Sequence, residues 1–188
     1  MLEKICNQAK TLVENGHESE AAMLTGYMRE LVPGDETNRE GHAAKVYFNA
    51  LFGKNFSRGQ ENPINAALNY GYGLILSAFN REVTLCGYLT HIGLCHDNMF
   101  NPYNLSCDMM EPFRAIVDRK VIDIAPIEFG KKEKQELLGI LHSPVRIAGT
   151  EQTVMNAVKI YSRSVFEAIE LSDADLSLIH ISEPTRPY

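Results

Sequence analysis

The sequence predicts an all-α fold, a multi-helix domain with at most one short β-hairpin. Three observations carry this. Apolar residues recur at helical spacing along most of the 188 residues. Asn-Gly, Pro-Gly and Asn-Pro pairs cut that pattern into segments of helix length. Val145 to Ala148 is the only plausible strand in the chain.

Leu2 to Glu14 places Leu2, Ile5, Cys6, Ala9, Leu12 and Val13 on one face, and Asn15-Gly16 ends this first helix. A second helix is expected from about Ser19 to Leu31, burying Ala22, Met23, Gly26 and Tyr27, with Val32 beyond it and a stop at Pro33-Gly34. The two form a hairpin. Asp35 or Thr37 can cap the next helix, from Asn38 to Phe52, where Ala43, Val46, Tyr47, Ala50 and Leu51 make an apolar stripe opposite His42, Lys45 and Asn49.

Asn62-Pro63 is a strong start signal, with Asn as cap and Pro at the first helical position. The helix it opens, running to about Gly87, is apolar nearly all round and becomes the central helix. Its Gly71 and Gly73 cost helix propensity, about 1 kcal/mol each against Ala, so both are read as points of close approach by another helix. Asn98 to Leu105 has turn composition, and Ser106 or Asp108 begins the following helix. Pro112 divides that region, and a helix resumes from Phe113 to about Val121. Lys131 to Leu141 is amphipathic. The strand Val145 to Ala148 is expected to pair with Ile127 to Phe129, and Glu151 to Leu171 closes the fold as a helix.

Composition bounds the function. Hydrophobic residues at 45% and charged ones at 22% describe a globular chain rather than a disordered one. The longest nearly uncharged run is too short and too polar for a bilayer, and the first residues carry no leader pattern, so a cytoplasmic protein without membrane attachment is expected. Four cysteines without a CxxC pair argue for reduced thiols, and Cys95, His96 and Cys107 lack a well-spaced fourth zinc ligand. A net charge of -6 excludes a protein that coats nucleic acid over its whole surface. Local basic groups, Arg39, Lys45, Arg58, Arg114 and Lys120, still permit a DNA site.

The candidate chemistry starts at Glu40. It precedes Ala43 by three residues and Tyr47 by seven, so the helix turns its carboxylate toward the core stripe, where an unpaired ion is costly. Its partner is either a Lys or Arg, a helix-capping role, or a divalent metal with further ligands elsewhere. His96, at the edge of a turn-rich loop, is either solvated or free to reach a site. Asp108 and Glu111 share a face near a helix amino end, where acids also serve as plain caps.

Four motifs in order, NREGHAAKVYFNALFG, NPINAALNYGYGLILSAFNREV, GYLTHIGLCHDN and DMMEPFRAIVDRKV, resemble the CRISPR-associated integrase of spacer acquisition, and the type II branch most of all. The resemblance spans roughly Asp35 to Leu171. It implies a helical catalytic domain that binds Mg2+ or Mn2+ through Glu40, His96 and Glu111, with Asp108 acting behind them or through water. It further implies insertion of spacer DNA into a CRISPR repeat by transesterification, with hydrolytic nicking as the same site's reaction with water. Double-stranded DNA, a second copy of the chain and a small ferredoxin-like companion protein are the implied partners.

Family members begin with a β-rich domain, and none precedes Leu2 to Leu31. Residues 1-34 are therefore read as a helical connector to a missing N-terminal domain, 35-175 as the metal-dependent catalytic domain, and 176-188 as an artefactual, non-matching tail. Two rival readings accompany this one: a non-catalytic helical interaction module whose acids are caps, and a hydrolase of small phosphoesters.

Overall fold

The computed structural model describes residues 2–31 and 37–173, together with the backbone of 181–182. The Pro33-Gly34 break, the Asp35 cap, the expected division between residues 34 and 35, and the tail apart from residues 181–182 lie outside the described residues.

The chain is helical, as predicted. The helices are α1 (Leu2–Glu14), α2 (Glu18–Arg29), α3 (Arg39–Phe52), α4 (Pro63–Leu85), α5 (Asn104–Met110), α6 (Arg114–Ile124), α7 (Lys131–Leu138) and α8 (Val154–Leu171), with 3-10 turns at Glu111–Phe113 and Gly139–His142. The strands β1 (Pro144–Ile147) and β2 (Thr150–Thr153) form a hairpin, and the two-residue β3 (Ile181–Ser182) pairs with the other edge of β1. No described helix is long and apolar enough to cross a membrane.

Burial divides into two clusters. The larger surrounds α4, whose Leu68, Ile75, Phe79 and Val83 are fully buried against α5, α6, α7 and α8. Asn62 caps this helix by accepting a hydrogen bond from the Asn65 amide at 2.8 Å, with Pro63 at the first turn. Gly71 meets α6 so closely that a Cβ there would clash with Val117, whereas Gly73 faces open space. Only one of the two glycines therefore permits a close helix approach.

The smaller cluster joins α1, α2 and α3 through Ile5, Leu12, Ala21, Leu24, Ala43 and Tyr47. The expected face of α2 is corrected: Ala21 and Leu24 point inward while Met23 is exposed. In α1, Leu2 and Val13 are exposed, and the polar Asn7, Gln8 and Thr11 are buried beside Ile5 and Leu12. The reason is a second contact. Asn7 Nδ2 donates to the Pro112 carbonyl at 3.1 Å, docking the polar side of α1 onto the turn that carries Glu111.

The strand partner also differs from expectation. Residues 127–129 form no strand, and Ile127 is almost fully exposed. Ala148 and Gly149 both take positive φ, which matches a two-residue turn whose twist suits a hairpin, so β1 finds its partner in the next four residues. A short closure costs less chain entropy than a return across α7.

Candidate active site

One cleft of about 590 Å³ brings together Glu40, His96, Asp108 and Glu111 with Lys4, Arg58 and Arg114. That volume lies in the range of ligand-binding sites. The residues come from α1, the first turn of α3, the loop before α4, the loop after α4, α5, and the junction of α5 with α6.

Glu40 sits one residue into α3, so its carboxylate projects from the amino end of the helix. Its Oε1 accepts from Lys4 Nζ at 2.6 Å. Glu111 opens the 3-10 turn that Pro112 imposes between α5 and α6. Its Oε2 lies 2.8 Å from the same Lys4 ammonium, and its Oε1 accepts from Arg114 Nε at 2.7 Å. Oε2 itself makes no hydrogen bond of good geometry. Burial pushes the Glu111 carboxyl upward, but Arg114 and Lys4 outweigh it and hold the group below the usual carboxylate range.

Asp108 organises the loop that carries His96. From α5 it accepts the backbone amides of Leu94 at 2.6 Å, Cys95 at 2.9 Å and His96 at 3.1 Å, and lies 2.6 Å from His96 Nδ1. A carboxylate that accepts at Nδ1 fixes the imidazole so that Nε2 presents its lone pair. Asn104 ties down the same loop, its amide donating to the carbonyls of His91 and Asn98 at 3.0 Å each. This explains why α5 begins at Asn104, ahead of the expected Ser106 or Asp108: a turn-forming residue is buried here to anchor the loop.

Tyr72 and Asp118 also line the cleft, and the buried Asp118 accepts from Tyr47 Oη at 2.8 Å and from Tyr72 Oη. Burial raises the Asp118 carboxyl above its ordinary range despite these two donors and the nearby guanidinium groups. Both tyrosine hydroxyls are pushed up by burial and by the Asp118 charge. Arg114 stacks over the Tyr72 ring at 4.7 Å and Arg58 at 5.4 Å, so the tyrosine links the buried acid to the two guanidinium groups.

Of the basic residues singled out for DNA, Arg58 and Arg114 line this cleft, while Arg39, Lys45 and Lys120 do not. Arg58 also donates to Asn65 and Asn69, and Arg39 pairs with Glu30 at 2.8 Å. Lys4, Asp118, Tyr47 and Tyr72 escaped the sequence reading. The available signal for Lys4 was the run Lys4, Asn7, Gln8 and Thr11, a polar stripe at helical spacing on a helix with a separate apolar face.

The donor set, two carboxylates and an imidazole, fits a hard divalent cation in chemical type, and the buried Glu111 Oε2 without a hydrogen bond fits it as well. Among the described residues, however, no three His, Cys, Asp or Glu side chains converge closely enough to form a ready-made metal cluster. An ammonium already stands between the two acids.

Fold and cleft define the class: an α-helical domain whose central helix supports a pocket of acids, guanidinium groups and a carboxylate-oriented imidazole. The family described as "CRISPR associated protein Cas1" matches residues 3–133, and the chain belongs to that family. A CRISPR-associated endonuclease Cas1 from Neisseria meningitidis serogroup C is 38% identical over 161 residues, covering 83% of this chain and 53% of the relative. One from Francisella tularensis subsp. novicida is 28% identical, covering 67% of this chain and 43% of the relative. The chain thus spans about half the length of these curated relatives.

Among solved structures, a Cas6-RT-Cas1--Cas2 complex aligns with a TM-score of 0.75 at 18% identity, covering 93% of this chain and 23% of that one. A casposase bound to integration product aligns with a TM-score of 0.71 at 18% identity, covering 94% of this chain and 61% of that one. At these identities the two structures establish a shared fold.

Proposed function

We propose that this chain supplies the helical catalytic part of a divalent-metal-dependent DNA endonuclease and integrase, which inserts spacer DNA into a CRISPR array by transesterification at a repeat phosphodiester. The observation that carries the reading is the meeting of Glu40, His96 and Glu111, from three distant parts of the sequence, around one cleft. Family membership and the endonuclease name of the Neisseria relative support it.

Glu40, Glu111 and His96 Nε2 would hold Mg2+ or Mn2+. Such an ion, when bound, lowers the pKa of an attacking hydroxyl and neutralises charge on the phosphate. Asp108 keeps the imidazole oriented and the 94–96 loop closed. Arg58 and Arg114 supply guanidinium groups suited to phosphate oxygens, with Arg39, Lys45 and Lys120 as more distant backbone contacts. Double-stranded DNA, a second copy of the chain and a small companion protein are the proposed partners. The casposase neighbour bound to integration product supports the DNA, and the Cas1--Cas2 assembly of another neighbour supports the companion protein.

The position of Lys4 favours one competing reading, in which the acids are structural and the chain is a non-catalytic helical module. Strand transfer and nicking on a branched, repeat-containing duplex separate the two. Activity that needs Mn2+ or Mg2+ and disappears in each of Glu40→Ala, His96→Ala and Glu111→Ala is the expected result. Activity surviving all three removes the assignment.

A further inference from the structure

Lys4 does more than satisfy one acid. Its Nζ lies 2.6 Å from Glu40 Oε1 and 2.8 Å from Glu111 Oε2, and its side chain is only 17% exposed, so one ammonium joins two carboxylates from different elements. Without a cation between them, these like charges would repel across the cleft. The lysine is held there by its helix. Asn7, one turn on, bonds the Pro112 carbonyl next to Glu111, and Gln8 and Thr11 are buried on the same side.

An ammonium and a divalent ion make the same demand on this pair, positive charge shared by two carboxylates, but differ in strength and reach. Mg2+ takes oxygen ligands at about 2.0–2.1 Å, nearer than an ammonium sits. The flexible four-carbon stem of lysine lets the ammonium leave without moving the helix. Resting on the metal-site reading above, we infer that Lys4 is a positioning residue that gathers Glu40 and Glu111 while no metal is bound, and that a divalent cation binds by displacing its ammonium.

The test uses the whole chain, stripped with a chelator and titrated with Mn2+ alone by calorimetry. Removing the competitor in Lys4→Met should tighten Mn2+ binding about tenfold, equivalent to roughly 1.4 kcal/mol, while Glu40→Gln should abolish it. In thermal unfolding, the metal-free Lys4→Met chain should melt below the parent, and saturating Mn2+ should raise its midpoint by more than it raises the parent's. If Lys4→Met does not fold, the parent alone still decides: titration with diamagnetic Mg2+ should shift the Lys4 ε-methylene NMR signal as the ammonium is released. Equal Mn2+ affinity in parent and Lys4→Met, or an unmoved Lys4 signal at saturating Mg2+, overturns the displacement and leaves the metal site standing. Absence of binding in both chains overturns the metal site and this inference together.

Discussion

His96 Nδ1 lies 2.6 Å from Asp108 Oδ1, and the same carboxylate accepts the His96 backbone amide. One acid thus fixes both the ring and the main chain of a candidate ligand. The Asp108 side chain is 8% exposed against 46% for His96, so the acid is the buried support and the imidazole the reaching group. Asp108→Asn keeps the size but weakens the acceptor shared by three amides. Loss of such an orienting partner lowers metal affinity or activity by about 10–100-fold. Nicking assays across a Mn2+ titration check this, with His96→Ala expected to abolish the activity that Asp108→Asn only reduces.

Asp118 poses a question of stability. Its carboxyl is buried and holds two tyrosine hydroxyls, so Asp118→Ala leaves both without their acceptor in the interior. The expected loss is about 2–4 kcal/mol, in line with unsatisfied buried groups. Tyr72→Phe removes one donor and should cost about 1 kcal/mol. It keeps the ring over which Arg114 stacks, so the guanidinium that holds Glu111 retains that support. Urea denaturation of the two variants, compared at constant m-value, gives the ranking.

Gly71 and Gly73 separate two reasons for a glycine in a helix. A methyl at position 71 meets Val117 on α6, so Gly71→Ala should destabilise by about 1–3 kcal/mol through overpacking. Position 73 is exposed with open space around the added carbon, so Gly73→Ala should be neutral or stabilise by up to about 1 kcal/mol. Equal effects of the two substitutions in thermal unfolding would contradict the α4–α6 packing described above.

These cases show where sequence reasoning reached and where it stopped. The central helix was legible because the Asn62-Pro63 cap is local and the apolar run is long. Glu40 was legible as an acid on the inward side of α3, and a Lys was among the partners weighed for it. That the partner is Lys4 was not legible, because pairing across the interface of α1 with the Glu111 turn is a tertiary fact. The strand partner of β1 was misjudged because the Ala148-Gly149 turn requires positive φ at an alanine, which propensity disfavours and local geometry supplies. The Asp118 pair with Tyr47 and Tyr72 was hidden for a third reason. Tyr47 belongs to the expected apolar stripe of α3, and nothing local sets Tyr72 or Asp118 apart before three helices bring them together.

The acid limb of stability carries a sign that follows from Glu111. Its folded-state carboxyl is held below the ordinary value of 4.5 by Arg114 and Lys4, against the opposing effect of burial. The unfolded chain therefore binds more protons than the native one through this range. The contribution is fully present above about 4.5 and is lost as pH falls through the depressed native value. Glu111→Gln removes this titration, so its unfolding free energy should change less than the parent's as pH falls below 4.5. Asp118 works in the opposite direction: its raised carboxyl favours the fold at low pH and loses that advantage as pH rises above 3.8 toward its native value. Asp118→Asn should accordingly make stability rise more steeply with pH over that interval. Urea midpoints for parent and both variants, measured at matched ionic strength across the acid range, test the pair, and a common slope in all three chains would contradict both assignments.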